Sequence, residues 1–295
     1  MMVSEKPIVT IGHDMPADLA AHVSTALKGI GVQVKANGHP LPPPRPSGRV
    51  IVVISPKGGS GKTAVASNLS VALAQRLPGK VVAVDLDVQF GDLGTALSLY
   101  PDHTLSQLTR TEINATTVKL SLTPYEKDLY VLCSAADPVD ADSITHAHVT
   151  TVLPLLALNF DYVIVDTPAG LDERTLAAID CATDLLLVSS LDVTSIRSLR
   201  KALDTLDKIG VTANRLFVLN RSDAKVGINL DDAEAAIGMK VACHIPSSRE
   251  VPLALNMGTP LVKSEPKSPV AKQFGLLSQL YAPLETDKAK RGWRR

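Results

Sequence analysis

The sequence predicts an α/β fold with a doubly wound, mostly parallel sheet, and three observations support this prediction. Apolar, β-rich runs alternate with runs of helical periodicity along most of the 295-residue chain. The apolar runs are continuous instead of alternating in polarity, as in parallel strands that helices cover on both faces. Hydrophobic residues make up 45% of the chain and aromatic residues only 3%, which predicts an aliphatic core.

The elements of this sheet can be placed along the chain from their composition and period. Strands are predicted at 49–55, 80–86, 128–134, 161–167, 183–190, 215–220 and 240–245. Helices are predicted between them, among others at 62–77, 172–180 and 193–209. The alternation predicts one large domain over residues 49–283.

A short separate segment precedes this domain. A strand at 7–12, an amphipathic run over 16–28 and a strand at 32–35 form one βαβ-sized piece within residues 1–38. Because so short a piece cannot bury a core alone, we expect it to dock on the main domain or on a partner. Residues 39–48 contain five prolines and predict a semi-rigid linker.

Composition and charge exclude several classes of protein. Lys plus Arg number 30 and Asp plus Glu number 30, and this zero net charge disfavours a dedicated nucleic-acid binder. No run of 18 apolar residues and no signal-peptide pattern are present, so we expect a cytoplasmic protein. Its three cysteines lack metal-ligand spacing, which predicts reduced, mostly buried thiols.

The motif KGGSGKT lies at 57–63, between the first strand of the domain and its first helix. Glycines allow a backbone to wrap closely round phosphates, while successive amide groups and the helix N-terminus supply positive dipole. In such a loop Lys62 reaches the β- and γ-phosphates, and the Thr63 hydroxyl ligates Mg²⁺. The predicted nucleotide-binding residues here are Gly58, Gly59, Ser60, Gly61, Lys62, Thr63 and Ala64.

Carboxylates follow two of the predicted strands. Asp85 and Asp87 come at the end of the strand 80–86, and residues two apart on a strand share one side of the sheet. Asp166 ends the strand 161–167, in the position of a Walker B carboxylate that holds Mg²⁺ through water. We expect all three to address one phosphate–Mg²⁺ centre.

The motif has an additional lysine, Lys57, at its first position. This lysine has no function in an ordinary phosphate-binding loop. With it, KGGxGKT resembles the deviant Walker A motif of the ParA/MinD family of ATPases. The resemblance implies a P-loop NTPase fold, ATP and Mg²⁺ as cofactors, and a homodimer in which Lys57 reaches the nucleotide of the partner. It also implies that Asp85 supports the water shell of the metal. Asp87 then positions the attacking water, as an unshifted carboxylate is too weak a base to deprotonate it.

The segment Asn220-Arg221-Ser222-Asp223 resembles the base-reading region of the same family. The family resemblance favours adenine, with Asn220, Arg221 and the loop near Pro246 as the contacting residues. The segment also matches the NKxD element of GTPases in outline, which leaves guanine open.

Three segments narrow the resemblance further. Residues 85–94, 171–180 and 258–272 look like the CpaE/TadZ branch, whose members help to place Flp (type IVb) pilus machinery at the cell pole. This implies a pilus-assembly or polar-localisation partner and recruitment to the pole or to the inner face of the membrane. That branch carries a full receiver-like domain at its N-terminus, and residues 1–38 are much shorter.

Other functions stay open. One is ParA/MinD-like partitioning or division-site positioning, for which the patch Arg197, Arg200, Lys201 and Lys208 would bind DNA. Less favoured are a small-molecule P-loop enzyme and a scaffold that binds nucleotide without hydrolysing it.

The C-terminal part contains an apolar stripe at helical spacing, Val270, Phe274, Leu277 and Tyr281. Pro283 should end that helix at about 282, so we expect the stripe to be core and not a membrane anchor. The basic tail 284–295 is expected to contact anionic lipid or DNA only weakly. His103, His146 and His148 fall in a stretch that reads as loop-rich, where surface or helix-capping roles suffice.

Overall fold

The computed structural model describes residues 8–11, 33–36, 48–135, 137–224 and 227–283, which fall in two compact units, 1–47 and 48–295. In the first unit, β1 (Ile8–Ile11) and β2 (Gln33–Ala36) pair in parallel. The helix predicted within 16–28, all but the last residue of the linker 39–48 and the tail 284–295 lie outside the described residues. Their predicted boundaries therefore stay predictions.

The second unit is built on an eight-stranded sheet with the order β10-β9-β8-β3-β7-β4-β6-β5. Every pair of neighbours is parallel except β5 and β6. The strands are β3 (Arg49–Ile54), β4 (Val81–Asp85), β5 (Thr123–Tyr125), β6 (Leu129–Leu132), β7 (Tyr162–Asp166), β8 (Asp184–Ser190), β9 (Asn214–Asn220) and β10 (Val241–Ile245). The predicted fold class is confirmed.

Helices flank the sheet. They are α1 (Lys62–Arg76), α2 (Leu93–Ala96), α3 (Leu105–Leu108), α4 (Ala115–Leu120), α5 (His146–Asn159), α6 (Glu173–Asp180), α7 (Val193–Lys208), α8 (Leu230–Ile237), α9 (Glu250–Asn256), α10 (Leu261–Ser264) and α11 (Pro269–Tyr281). A 3₁₀ helix, Pro138–Ser143, precedes α5.

The core consists of two apolar layers, one on each face of the sheet. Along β3, Val50, Val52 and Ile54 enter one layer, while Ile51 and Val53 enter the other. All five are at most 3% exposed. Burial on both faces explains why the strand sequences are apolar without alternation.

Two elements differ from the sequence prediction. The edge strand β5 was not predicted, because it has only three residues and contains Pro124, which a sheet edge tolerates. The stretch around His146 is wrongly predicted as loop-rich: it is the helix α5, which contains Pro154. The ring of His148 accepts a hydrogen bond from the Thr145 N–H at 3.2 Å, so the expected helix-capping role is confirmed there.

The C-terminal helix α11 matches its prediction. Its stripe residues are each at most 4% exposed, and the helix ends at Tyr281 with Ala282 as its C-cap. The stripe is therefore core. Within the described residues no helix combines the length and apolar character needed to cross a membrane. All three cysteines are free thiols, and Cys133 and Cys243 are buried.

Candidate functional site

The loop 55–61 leaves β3 at its carboxyl end and turns into α1, as predicted. Gly61 is the N-cap of α1 and has a φ of 97°, in the left-handed region that glycine adopts without strain. A Cβ atom at Gly61 would lie 2.4 Å from the Asn220 amide nitrogen. The site therefore requires glycine at this position for both backbone and space.

Beside this loop is an open cleft of about 770 Å³. The cleft brings together most of the predicted binding residues: Gly58, Gly59, Gly61, Lys62, Thr63, Ala64, Asp87, Asn220, Arg221 and Pro246. Further residues that line the cleft were not predicted from the sequence, mainly Asp92, Ser247, Ser248, Arg249, Val251, Pro252 and Leu255. Lys57, Ser60, Asp85 and Asp166 do not line it.

Asp166 is a buried carboxylate without a partner. It is 0% exposed, at the end of β7, and neither of its oxygens has a hydrogen-bond partner among the described residues. Burial raises its pKa, opposed by the neighbouring Thr63 side chain and the Lys62 ammonium. A buried carboxylate in this state fits a cation, and carboxylate and hydroxyl oxygens are the ligands that Mg²⁺ prefers. Asp166 and Thr63 thus suit the predicted metal.

Lys62 supplies the positive charge of the cleft. Lys62 is only 9% exposed. Desolvation lowers its pKa, while the carboxylates of Asp166 and Asp87 act in the opposite direction. A partly desolvated ammonium that also lines the cleft binds a phosphate more strongly than a solvated one does.

Asp85 has a defined structural role next to the site. One carboxylate oxygen accepts the Asp87 N–H and the other accepts the Leu93 N–H, both at 3.1 Å. These bonds shape the loop that presents Asp87 to the cleft. Gly91 packs against them so closely that a Cβ would lie 2.4 Å from Asp85 Oδ2. Contact of Asp85 with the water shell of a metal stays a prediction.

Lys57 does not line the cleft, and its side chain reaches the start of α7. Its ammonium lies 2.6 Å from Thr194 Oγ1 and 3.3 Å from Asp192 Oδ1. Asp192 is the N-cap of α7, and its side chain also accepts hydrogen bonds from Ser195. Burial acts to raise the pKa of Asp192. The hydrogen bonds from Ser195 and Lys57 outweigh it, so the pKa is lowered. Lys57 therefore faces a carboxylate that stays charged.

The base-reading segment does not have the arrangement that guanine recognition needs. The Asn220 amide donates to the Ser60 carbonyl at 2.8 Å. Asp223 lies outside the lining of the cleft, and its Oδ1 accepts the Ser247 N–H at 2.7 Å. In an NKxD element that aspartate would have to accept from the guanine ring. The GTPase-like interpretation is therefore not supported by the geometry.

Comparison with known proteins gives consistent matches. A family model described as an AAA domain matches residues 48–218. The septum site-determining protein MinD of Thermotoga maritima is 29% identical over 258 residues, which are 81% of this chain and 92% of that protein.

Solved structures match over a similar span. The cell division ATPase MinD of Pyrococcus furiosus is 32% identical, with a TM-score of 0.72 over 80% of this chain and 98% of that one. The MinD of Pyrococcus horikoshii, complexed with Mg-ADP, is 27% identical, with a TM-score of 0.72 over 80% and 96%. A ParA family ATPase from Chlorobium tepidum is 25% identical, with a TM-score of 0.73 over 78% and 98%.

Proposed function

This chain belongs to the ParA/MinD-type family of P-loop ATPases, and from that membership we propose that it is a nucleotide-switched positioning ATPase. In this proposal, binding of ATP and Mg²⁺ drives formation of a homodimer, the dimer binds its target, and slow hydrolysis to ADP and phosphate resets it. Relatives that determine septum sites support a division-site or partition function.

The observation that carries the proposal is the placement of the two lysines of the loop. Lys62 lines the cleft, whereas Lys57 has an exposed side chain outside it. A lysine that does not serve its own cleft is available to the phosphates of a facing subunit. Because the contact forms only when those phosphates are present, the dimer would depend on the nucleotide.

The side chains in the cleft and directly beside it have distinct tasks. The Lys62 ammonium binds the β- and γ-phosphates, and Asp87 orients the attacking water by accepting a hydrogen bond from it. Thr63 and Asp166 would hold Mg²⁺. When bound, the ion neutralises phosphate charge during the transfer.

The pilus-assembly role implied by 85–94, 171–180 and 258–272 stays a prediction, because the relatives named above are septum site-determining proteins and a ParA family ATPase. A pilus-assembly partner, stimulation by a partner and recruitment to the pole or to the membrane face likewise remain proposals.

The basic patch proposed for DNA binding is only partly available. Arg197, Lys201 and Lys208 are exposed, whereas Arg200 is bound to Asp204 and to the Ile237 carbonyl.

The test is solution mass by light scattering, with ADP and with ATP–Mg²⁺, in an Asp87→Ala background that slows turnover. We expect a dimer with ATP only, and a monomer when Lys57→Ala is added. DNA retardation with and without ATP, at several salt concentrations, then separates partition from other positioning functions.

Two outcomes contradict the proposal. A monomer throughout, with ATP bound, would remove the switch and favour a small-molecule P-loop enzyme. An ATP-dependent dimer that persists in the Lys57→Ala variant would show that the dimer forms without this lysine.

A further inference from the structure

The turn that follows β9 connects the two walls of the cleft. On one side, the Asn220 amide is bound to the Ser60 carbonyl of the phosphate loop at 2.8 Å. On the other side, the Ser222 N–H donates to the Ile245 carbonyl at 3.0 Å, and Asp223 Oδ1 accepts the Ser247 N–H at 2.7 Å. One turn of four residues thus fixes both the phosphate loop and the loop 246–249.

The loop 246–249 lines the cleft although it lies far along the chain from the phosphate-binding motif. Pro246, Ser247, Ser248 and Arg249 all line the cleft. Phosphates would bind beside Lys62 and the glycines of the loop 55–61. The loop 246–249, with the first residues of α9, is then the part of the lining left for the base of the nucleotide.

We propose that Asp223 is a positioning residue for base binding: through the Ser247 N–H it holds the loop 246–249 in the shape that receives the base, without touching the nucleotide itself. The bond is charge-assisted, because an ionised carboxylate accepts from a backbone amide. The same bond directs Asp223 to the loop, and Asp223 does not line the cleft.

Two further observations agree with this role. The hydrogen bond from the Ser247 backbone, followed by that from its side chain, lowers the pKa of Asp223, so the carboxylate is ionised at neutral pH. Arg221, in the same turn, has a φ of 53°, a left-handed conformation that is uncommon for a non-glycine residue. The turn is thus held in one conformation by contacts on both sides.

The inference rests on the proposed function, since it assumes that the cleft binds ATP. The experiment measures, by calorimetry in the presence of Mg²⁺, the Kd of ATP, GTP and inorganic tripolyphosphate. Wild-type protein is compared with Asp223→Ala, with Asp223→Asn, whose side chain still offers an oxygen to Ser247, and with Asp231→Ala. Asp231 is an exposed carboxylate in the first turn of α8, so it controls for the loss of one negative charge.

We expect Asp223→Ala to weaken ATP binding about tenfold, the effect of losing one hydrogen bond to a charged group. Tripolyphosphate, which has no base, should bind as it does to wild type. The Asp231→Ala variant should bind ATP within about twofold of wild type. The Asp223→Asn variant, whose neutral oxygen makes a weaker bond, should lie between wild type and Asp223→Ala, and no variant should gain affinity for GTP.

Different failures have different meanings. If wild-type protein binds no ATP, the proposed function fails and the inference fails with it. If wild type binds ATP but Asp223→Ala binds it equally well, or loses ATP and tripolyphosphate affinity in equal measure, only the inference is overturned. Thermal unfolding of the ligand-free variants shows whether a loss of affinity reflects a loss of folded protein.

Discussion

The ammonium of Lys57 lies 2.6 Å from the hydroxyl of Thr194, at the exposed N-terminal turn of α7. Asp192, the N-cap of that helix, accepts from both groups. Lys57 therefore has an intramolecular resting position in the single chain, distinct from the nucleotide cleft. Exposed contacts of this kind contribute less than about 1 kcal/mol, so the phosphates of a partner subunit can compete with it.

Weakening this resting position should favour the dimer. We predict that Thr194→Val lowers the protein concentration needed for ATP-dependent dimerisation, by up to about fivefold for a contact of this strength. Sedimentation or light scattering over a concentration series measures it. Thr205→Val is the matched control, since Thr205 is an exposed threonine of the same helix that donates to the Lys201 carbonyl. Equal dimerisation in both variants would mean that the Thr194 contact does not restrain Lys57.

The loop that carries Asp87 should be sensitive to Gly91. A Cβ at Gly91 would lie 2.4 Å from Asp85 Oδ2 and 2.5 Å from both the Asp87 carbonyl and Ser134 Oγ. Because Asp85 and Ser134 are buried and have little room to move, Gly91→Ala should shift Asp87. We predict a fall in kcat of tenfold or more with the Kd for ATP nearly unchanged, measured by phosphate release and by calorimetry.

The neighbouring Gly94 provides the control for that prediction. A Cβ there would lie 3.5 Å from Cys133 Sγ, an ordinary contact, and alanine suits its helical position in α2. Gly94→Ala should keep wild-type kcat. Equal activity in the two variants would show that the close packing at Gly91 does not position Asp87.

Residues that act within one short motif could be predicted from the sequence, and residues that act across the fold could not. The seven predicted binding residues 58–64 are contiguous, so their placement follows from a strand, a loop and a helix. The role of Asp223 depends on Ser247, which is 24 residues away, and the resting contact of Lys57 spans 137 residues. Such pairs have no local spacing signal, because only the order of the strands brings them together.

The buried carboxylate of Asp166, which has no hydrogen-bond partner among the described residues, should destabilise the ligand-free protein. We predict that Asp166→Asn, in EDTA and without nucleotide, raises Tm by roughly 2–4 °C, which corresponds to about 1 kcal/mol for a domain of this size. The same variant should lose the Mg²⁺-dependent part of the stabilisation by nucleotide. Scanning calorimetry with and without Mg²⁺ and ADP measures both effects.

The gain in Tm from Asp166→Asn should also depend on pH. Burial raises the pKa of Asp166 in the folded state, so the unfolded chain releases this proton first as pH rises. Ionisation of Asp166 therefore lowers the unfolding free energy of the wild-type protein as pH rises above the usual carboxyl pKa, near 4. The advantage of Asp166→Asn should be absent at about pH 4 and grow towards neutral pH. An advantage that stays constant with pH would assign the effect to packing and not to charge.

The ion pair between Arg49, at the start of β3, and Asp184, at the start of β8, should contribute strongly to the stability of the domain. The guanidinium donates to both carboxylate oxygens, at 3.0 and 2.5 Å, and lies 5.0 Å from the centre of the Tyr281 ring. The Asp184 side chain is only 2% exposed, so Arg49→Met would leave a buried carboxylate without its cation. Breaking a buried ion pair by removing one partner costs about 3–5 kcal/mol of unfolding free energy. Because the Arg49 side chain is 40% exposed, we expect a loss at the low end of this range, about 3 kcal/mol.

Urea denaturation measures this loss, and the chain offers a matched control. Arg215 makes a similar contact with Asp207 at 2.6 Å, but that carboxylate is 55% exposed. Arg215→Met should therefore cost less than about 1 kcal/mol, since water solvates the aspartate that remains. If the two substitutions cost the same, burial of Asp184 is not what makes the Arg49 contact strong, and the stacking on Tyr281 becomes the better explanation.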